Sequence, residues 1–257
     1  MKITFLGTGT SMGVPMIACD CEVCRSTDSK DKRTRSSVKI EVDGKVIVVD
    51  AGPDFRQQML SSNTKRLNAI LFTHEHKDHT AGLDDVRAFN WINREPAYLF
   101  GEDRTLKALK KEYSYAFKDK EDKYPGAPEL FLSEIGLSVF EVAGCKVQPI
   151  RAFHHKMPVL GFRIGDFSYV TDASYIPDES MKLLRNSKVL VLNALRIKPH
   201  VSHFSLEQAM AVIQKLAPER AYLTHISHHM GLHAEVSKKL PPNIHQGYDG
   251  LEIEISH

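Results

Sequence analysis

Histidine and acidic side chains are concentrated in one short segment, Thr73-His74-Glu75-His76-Lys77-Asp78-His79, directly after an apolar run. Neutral imidazole and carboxylate are the usual ligands of Zn²⁺, Mn²⁺ and Fe²⁺. A sharp turn after a strand would let three imidazoles and a carboxylate converge on one point. A solvated polar loop is the simpler alternative, but it does not require four ligand-type residues at these spacings. The segment therefore predicts a metal site that contains His74, His76, Asp78 and His79.

Further ligand-type residues follow β-rich runs later in the chain. They are the adjacent pair His154-His155, then Asp172, then His225. Because functional groups in α/β proteins collect at the carboxyl ends of strands, we expect these side chains to join the segment 74–79. A carboxylate can bridge two ions, so Asp172 is the candidate shared ligand. The full set suits two ions roughly 3.5–4 Å apart.

Three cysteines form a second cluster in Cys19-Asp20-Cys21-Glu22-Val23-Cys24. In a reducing compartment this spacing indicates a metal site rather than disulfides, but three thiolates leave tetrahedral zinc one ligand short. Three free thiols or a redox site are the alternatives. Cys145 has no partner spacing, and we expect it to be a buried apolar residue.

Asp50 ends another β-rich run, in Val48-Val49-Asp50-Ala51-Gly52. Metal-bound histidines usually donate their second ring N–H to such a carboxylate. We therefore expect Asp50 to orient a histidine ligand. An aspartate that only caps a turn is the alternative.

The elements that must position these side chains are short and mixed in type. Asp43-Gly44 between two β-rich runs predicts a tight hairpin, and the polar residues 118–128 predict a loop. Helical spacing is found at 53–61, 83–91, 102–118, 179–186 and 205–216. Strands are predicted at 3–6, 38–42, 45–50, 69–73, 137–142, 146–152, 161–164, 168–171, 188–193, 220–224 and 251–255. Both halves mix the two types without a linker, which indicates one α/β domain over 1–257 with two sheets.

The composition excludes several classes of protein. The chain has 257 residues and a net charge of +2, which argues against a strong, non-specific polyanion binder. No window approaches the roughly 18 apolar residues of a membrane span, and the first residues lead into a strand rather than a signal peptide. We therefore expect a cytoplasmic protein with no membrane partner and no large nucleic-acid partner.

The pattern His74-x-His76-x-Asp78-His79, followed by separated His, Asp and His, resembles the metallo-β-lactamase fold hydrolases over the whole chain. Within that superfamily the chain resembles the cyclic phosphodiesterases of phosphonate degradation. The motifs that carry this closer resemblance are Gly7-Thr8-Gly9-Thr10-Ser11, Cys19-x-Cys21-x-x-Cys24, Gly82-Leu83-Asp84-Asp85-Val86-Arg87, Leu223-Thr224-His225-Ile226-Ser227-His228 and Asp249-Gly250-Leu251.

The resemblance implies an α/β fold, a four-layer αββα sandwich with two metals at one edge. It selects His155 from the adjacent pair, because the six residues from His155 to Gly161 fit the family pattern. It makes His228 the fourth ligand of a structural zinc with the cysteines, and it makes His203 a contact of the scissile phosphate, with an exposed loop histidine as the alternative. The implied ligands of the two active-site metals are His74, His76, Asp78, His79, His155, Asp172 and His225.

These features predict a dinuclear phosphodiesterase that opens a small phosphodiester, by resemblance a ribose cyclic phosphate, with a metal-bridging hydroxide. Asp78 would bind metal and orient the nucleophile, and His203 would assist the leaving group. The active-site metals are expected to be Mn²⁺ or Zn²⁺, with Fe²⁺ as a third option, and we also expect a homodimer. The alternatives are a ribonuclease Z-like endonuclease, a thioester or lactone hydrolase of the same fold, and a zinc-binding scaffold without activity.

Overall fold

Two seven-stranded sheets form the centre of the computed structural model, which describes residues 1–119 and 121–255. The strands of the first sheet are Lys2–Gly7 (β1), Ser37–Val42 (β2), Lys45–Val49 (β3), Ala69–Leu71 (β4), Ala97–Gly101 (β5), Leu130–Glu134 (β6) and Glu252–Glu254 (β14). The strands of the second are Phe140–Val142 (β7), Cys145–His154 (β8), Met157–Ile164 (β9), Phe167–Val170 (β10), Val189–Asn193 (β11), Arg220–Thr224 (β12) and Ile244–Gln246 (β13). Their spatial orders are β14-β1-β2-β3-β4-β5-β6 and β13-β12-β11-β10-β9-β8-β7.

Helices cover the outer face of each sheet. The helices of the described residues are Glu22–Arg25 (α1), Phe55–Ser61 (α2), Lys77–Thr80 (α3), Arg87–Asn93 (α4), Asp103–Glu112 (α5), Asp178–Leu184 (α6), Leu206–Leu216 (α7) and His233–Ser237 (α8). Of these, α2, α4 and α5 pack on the first sheet and α6, α7 and α8 on the second, whereas α1 and α3 lie in connecting loops. Single 3₁₀ turns lie at Ser29–Asp31, Leu83–Val86, Ser114–Phe117 and His228–Met230. In the part of the chain that the structure describes, no helix is both long and apolar enough to cross a membrane.

The core has three apolar layers because the strands are buried on both faces. In β3, Ile47 and Val49 face the space between the sheets, whereas Val48 packs against α2 and α5. In β11, Val191 lies in the central layer and Leu192 packs against α6 and α7. This alternation follows from the two-residue period of a strand. The predicted four-layer αββα arrangement is therefore confirmed.

Most predicted elements are present, with shifted ends. The Asp43-Gly44 hairpin is confirmed, and both residues have positive φ angles, as a two-residue hairpin turn requires. The helix predicted over 102–118 ends at Glu112 and is followed by a 3₁₀ turn. The strands β5, β6 and β13 were not predicted. Residue 120, in the predicted loop 118–128, and residues 256–257 lie outside the described residues.

Strand direction determines where the candidate site lies. β3, β4 and β5 run parallel to one another, as do β10, β11 and β12, so the carboxyl ends in each group meet at one edge of their sheet. Two backbone links join these edges: Gly9 bridges Ile226, and the Leu160 N–H donates to the Thr73 carbonyl at 3.0 Å. The loops that follow these strands therefore lie together.

Candidate metal centre

The segment after β4 folds tightly around its own ligand-type side chains. α3 begins directly after His76 and carries Asp78 and His79, and the His79 N–H donates to the His76 carbonyl at 3.0 Å. The ring centroid of His74 lies 4.6 Å from that of His76 and 4.3 Å from that of His79. A Cβ atom at Gly52 would lie 2.0 Å from the Asp78 carbonyl oxygen, so only glycine allows this approach. The four predicted residues of this segment are brought together.

Asp172, in the loop after β10, lies at the middle of the cluster. Its Oδ2 is 3.2 Å from His79 Nε2 and 4.0 Å from His74 Nε2, and its Oδ1 is 3.0 Å from His225 Nδ1. Asp78 Oδ2 lies 3.2 Å from His79 Nε2 on the other side. One ligand atom from each of Asp78, His79, Asp172 and His225 lies within 4.8 Å of the others. This position between two sets of imidazoles fits a shared carboxylate ligand.

His154, and not His155, joins this cluster. Ligand atoms of His154, Asp172 and His203 lie within 4.8 Å of one another, and the His154 ring centroid is 5.1 Å from that of His76. His154 Nδ1 donates to the Ser202 carbonyl at 2.8 Å, which leaves Nε2 available as a ligand atom.

The selection of His155 was wrong for a simple geometric reason. The β8–β9 hairpin pairs His154 with Met157, so His155 and Lys156 form the two-residue turn. His155 has a φ of 56° and an exposed side chain. Its N–H donates to the hydroxyl of Ser174 rather than contributing to the cluster.

Buried ring nitrogens without partners indicate that the cluster fits cations. His74 Nε2 and His225 Nδ1 are buried and form no hydrogen bond with any described residue, since Asp172 Oδ1 lies 3.0 Å from His225 Nδ1 but outside hydrogen-bond geometry. Both rings are almost fully buried, and burial lowers the pKa of each, so both are neutral and can act as ligands. Burial also opposes protonation of His79, but Asp78 and Asp172 outweigh it and raise its pKa well above the ordinary value. A cation would take the place of this proton between the carboxylates.

Asp50 lies behind His79, as the sequence predicted. It is fully buried, and its Oδ2 is 2.6 Å from His79 Nδ1. The backbone N–H and the hydroxyl of Thr73 donate to the same carboxylate at 2.8 and 2.9 Å. These contacts fix the ring of His79 with Nε2 directed at Asp78 and Asp172.

His203 lies at the edge of the cluster, next to His154 and His225. Its ring centroid is 4.5 Å from that of His154 and 4.8 Å from that of His225, and it is 8% exposed. Burial lowers the pKa of His203 to about 3, against a raising effect of Asp172. The neutral ring therefore has one N–H to donate and one nitrogen to accept a hydrogen bond.

The cysteine cluster lies next to this site. His228 Nδ1 is 3.3 Å from both Cys19 Sγ and Cys21 Sγ and 3.5 Å from Cys24 Sγ. The Cys24 N–H donates to Cys21 Sγ, and this contact is the main reason that the pKa of Cys21 falls to about 6. Four ligand atoms that face one point, with none left for substrate, are typical of a closed structural zinc site.

Several residues that support the site were not predicted. Thr73 bonds to Asp50 and His74, the Thr10 hydroxyl lies 3.3 Å from His225 Nε2, and Ser202 accepts from His154. For His154 a sequence signal was available: a two-residue turn at His155-Lys156 between two β-rich runs would have placed His154, and not His155, at the end of a strand. Hydrogen bonds such as those of Thr10 and Ser202 depend on tertiary contacts that no short motif encodes.

Comparisons with known proteins agree with this geometry. Residues 45–226 match the model of the Beta-lactamase superfamily domain. The chain is 44% identical over 258 residues to the octanoyltransferase of Porphyromonas gingivalis (strain ATCC BAA-308 / W83), a match that covers 99% of this chain and 52% of that protein. The chain thus spans about half the length of this curated relative.

Solved structures show the same fold at full length. A new diphosphatase from the PhnP family superimposes with a TM-score of 0.92 at 38% identity, over 99% of this chain and 98% of the other. Zn²⁺-bound PqqB from Methylobacterium extorquens superimposes with a TM-score of 0.79 at 17% identity, over 99% and 100% of the two chains. The second similarity shows the fold alone. The first extends over the whole length at an identity that shows a shared family, so the chain belongs to the beta-lactamase superfamily and, within it, to the PhnP family.

Proposed function

We propose that the chain is a dinuclear metal-dependent phosphodiesterase that hydrolyses a small phosphodiester. The observation that carries this proposal is the position of Asp172 between two sets of ligand-type side chains, with the unpartnered nitrogens of His74 and His225 beside it. One ion would be held by His74, His76 and His154, and the other by Asp78, His79 and His225. Asp172 would bind both.

The chemistry of this ligand set suits an anionic substrate. Two divalent ions bound there would act as Lewis acids and lower the pKa of a water molecule, and Mn²⁺, Zn²⁺ or Fe²⁺ would each serve. The two ligand carboxylates do not neutralise such a pair, which favours a negatively charged phosphoryl group over a neutral ester. A ribose cyclic phosphate is the substrate that we favour.

Residues of this chain would place the substrate and the attacking water. Asp78 lies beside His79 and is only partly buried, so it could orient a water molecule for in-line attack. His203 has a neutral ring beside His154 and His225, and its N–H can stabilise the oxygen that leaves phosphorus. The cysteine cluster would hold a structural zinc that ties residues 19–24 to the loop of His225.

Hydrolysis of a diphosphate is the second candidate, because the 38% identical relative is described as a diphosphatase. Both substrates present a phosphoryl group to the same cations and differ in the leaving group. The name octanoyltransferase belongs to a protein of which this chain matches about half, so that name does not decide the chemistry of this site. A ribonuclease Z-like activity is less favoured, since the net charge of +2 offers little attraction for a large RNA.

Hydrolysis by the Mn²⁺-loaded protein tests the proposal. The substrates are bis(4-nitrophenyl) phosphate, a ribose cyclic phosphate, a nucleoside diphosphate, a precursor tRNA, a thioester and a lactone. We expect turnover of the phosphodiesters that is lost in Asp78→Ala and kept in His245→Ala, a surface histidine on β13.

Other outcomes identify what is wrong. Turnover of the diphosphate alone favours the second candidate. Turnover of the thioester or lactone alone contradicts phosphoryl chemistry. Full metal occupancy without turnover of any substrate favours a binding protein.

A further inference from the structure

The loop between β11 and α7, residues 194–205, is fixed in place by its own hydrogen bonds. The Leu195 N–H donates to the Phe204 carbonyl and the Leu206 N–H donates to the Arg196 carbonyl, both at 2.9 Å. The Arg196 guanidinium donates to the carbonyls of Lys198 and Pro199 at 3.1 and 2.8 Å. These hydrogen bonds hold the loop in one defined conformation.

His200 lies on this loop, and one of its ring nitrogens, Nδ1, accepts a hydrogen bond within the loop. The Ser202 N–H donates to His200 Nδ1 at 3.3 Å, and the Ser202 hydroxyl lies 3.2 Å from the same atom. Since Nδ1 accepts a backbone N–H, a neutral ring must carry its proton on Nε2. Burial, Arg196 and His154 lower the pKa of His200, which keeps the ring neutral. No described residue forms a hydrogen bond with Nε2.

The ring of His200 continues a row of imidazoles that leads out of the metal centre. The ring centroids of His225 and His203 are 4.8 Å apart, and those of His203 and His200 are 5.4 Å apart, with interplanar angles of 24° and 31°. Burial decreases along the row: His225 is 1% exposed, His203 is 8% exposed and His200 is half-buried. An atom near His200 is thus farther from the metal centre than an atom near His203.

We propose that His200 binds the alcohol portion of the substrate, through Nε2–H donated to a hydroxyl or ether oxygen next to the scissile ester. This rests on the proposed phosphodiesterase function and assigns to one residue the preference for a leaving alcohol that carries a second oxygen, as a sugar does. His203 donates a hydrogen bond to the leaving oxygen itself, and His200 donates one to the adjacent hydroxyl or ether oxygen of the alcohol. His200 is therefore a residue that selects polyhydroxylated leaving groups over plain aryl ones.

Two substrates and two variants test this role. For His200→Ala we expect kcat/KM to fall about tenfold on ribose 1,2-cyclic phosphate and less than about twofold on bis(4-nitrophenyl) phosphate, because only the sugar loses a hydrogen bond. His200→Gln, whose amide N–H replaces Nε2–H, recovers part of the loss. Calorimetric binding of ribose 1-phosphate to the Mn²⁺-loaded proteins should weaken in parallel, and His245→Ala should match the wild type in both measurements.

A positioning role predicts a different result. Ser202 accepts from His154, so a loop disturbed by His200→Ala would release metal, and both substrates would be affected equally. Equal losses with reduced metal content, or unchanged kinetics and binding on the sugar substrate, overturn the proposal and leave the phosphodiesterase function intact. No turnover of either diester by the wild-type protein overturns the phosphodiesterase function, and the role of His200 with it.

Discussion

The two candidate metal centres share one loop but are built in opposite ways. His225 and His228 are three residues apart after β12, yet His225 faces the His/Asp cluster and His228 faces the cysteines. The His/Asp cluster collects side chains from the ends of strands in both sheets. The cysteine cluster collects three residues around one short helix, α1, and a single residue from elsewhere.

The difference extends to what holds each centre in place. In the His/Asp cluster, Asp50 and the Ser202 carbonyl fix the rings of His79 and His154. The cysteine loop packs much less deeply, and Cys21 is exposed. We infer that the fold shapes the first centre before metal binds, whereas the metal itself shapes the second. On this inference, the first centre would be preorganised for chemistry and the second would stabilise the chain when it binds zinc.

The largest effect should come from His154→Ala, and the adjacent variant His155→Ala is its matched control in the β8–β9 hairpin. Removing a ligand disturbs one ion, so His154→Ala should lower kcat/KM on a phosphodiester by about a hundredfold or more. His155→Ala should stay within about twofold, because His155 is an exposed turn residue. Metal analysis should show one ion fewer per chain in His154→Ala alone. A larger loss in His155→Ala would contradict the assignment.

Asp50→Asn should have the next largest effect. The left-handed conformation of Asp50, with a φ of 64°, tolerates asparagine, so the backbone is kept. The amide accepts from His79 Nδ1 less strongly than the carboxylate does, and we expect metal affinity to fall about 10- to 100-fold. Titration with a competing chelator measures this change. Unaltered affinity would mean that Asp50 only supports the turn through Thr73.

Cys24→Ser should have the smallest effect on activity and a clear effect on stability. Zinc at about 100 times its Kd stabilises the folded chain by about 2.7 kcal/mol. Loss of that binding in Cys24→Ser should lower Tm by roughly 5–10 °C in a chain of this size. Activity at 25 °C should fall only a few-fold. Calorimetry of the wild type and of Cys24→Ser, each with and without a zinc chelator, measures the change in Tm. The chelator should lower the Tm of the wild type and leave that of Cys24→Ser nearly unchanged, and a wild-type Tm that does not respond to the chelator would contradict the zinc site.

The sequence was sufficient for an α/β domain with two sheets and for most of the site, because the β-rich runs and the spacing of residues 74–79 are local patterns. The four-layer arrangement was implied by the family resemblance instead, since β3 and β11 are continuous apolar runs that do not show which layer each side chain enters. β5, β6 and β13 were missed because runs of only three to five residues resemble connecting segments. His155 was selected over His154 because the choice depends on the register of one hairpin, and the supporting bonds of Ser202 and Thr10 join residues far apart in the chain.

We expect this chain to hold two metals in an open His/Asp centre and one in a closed cysteine centre. Anomalous diffraction from crystals of the metal-loaded protein, with metal quantification on the same sample, tests it most directly. We expect two peaks on either side of Asp172, within reach of His154 and His225, and a third peak among Cys19, Cys21, Cys24 and His228. A folded, metal-saturated protein with a peak only at the cysteines would contradict the account.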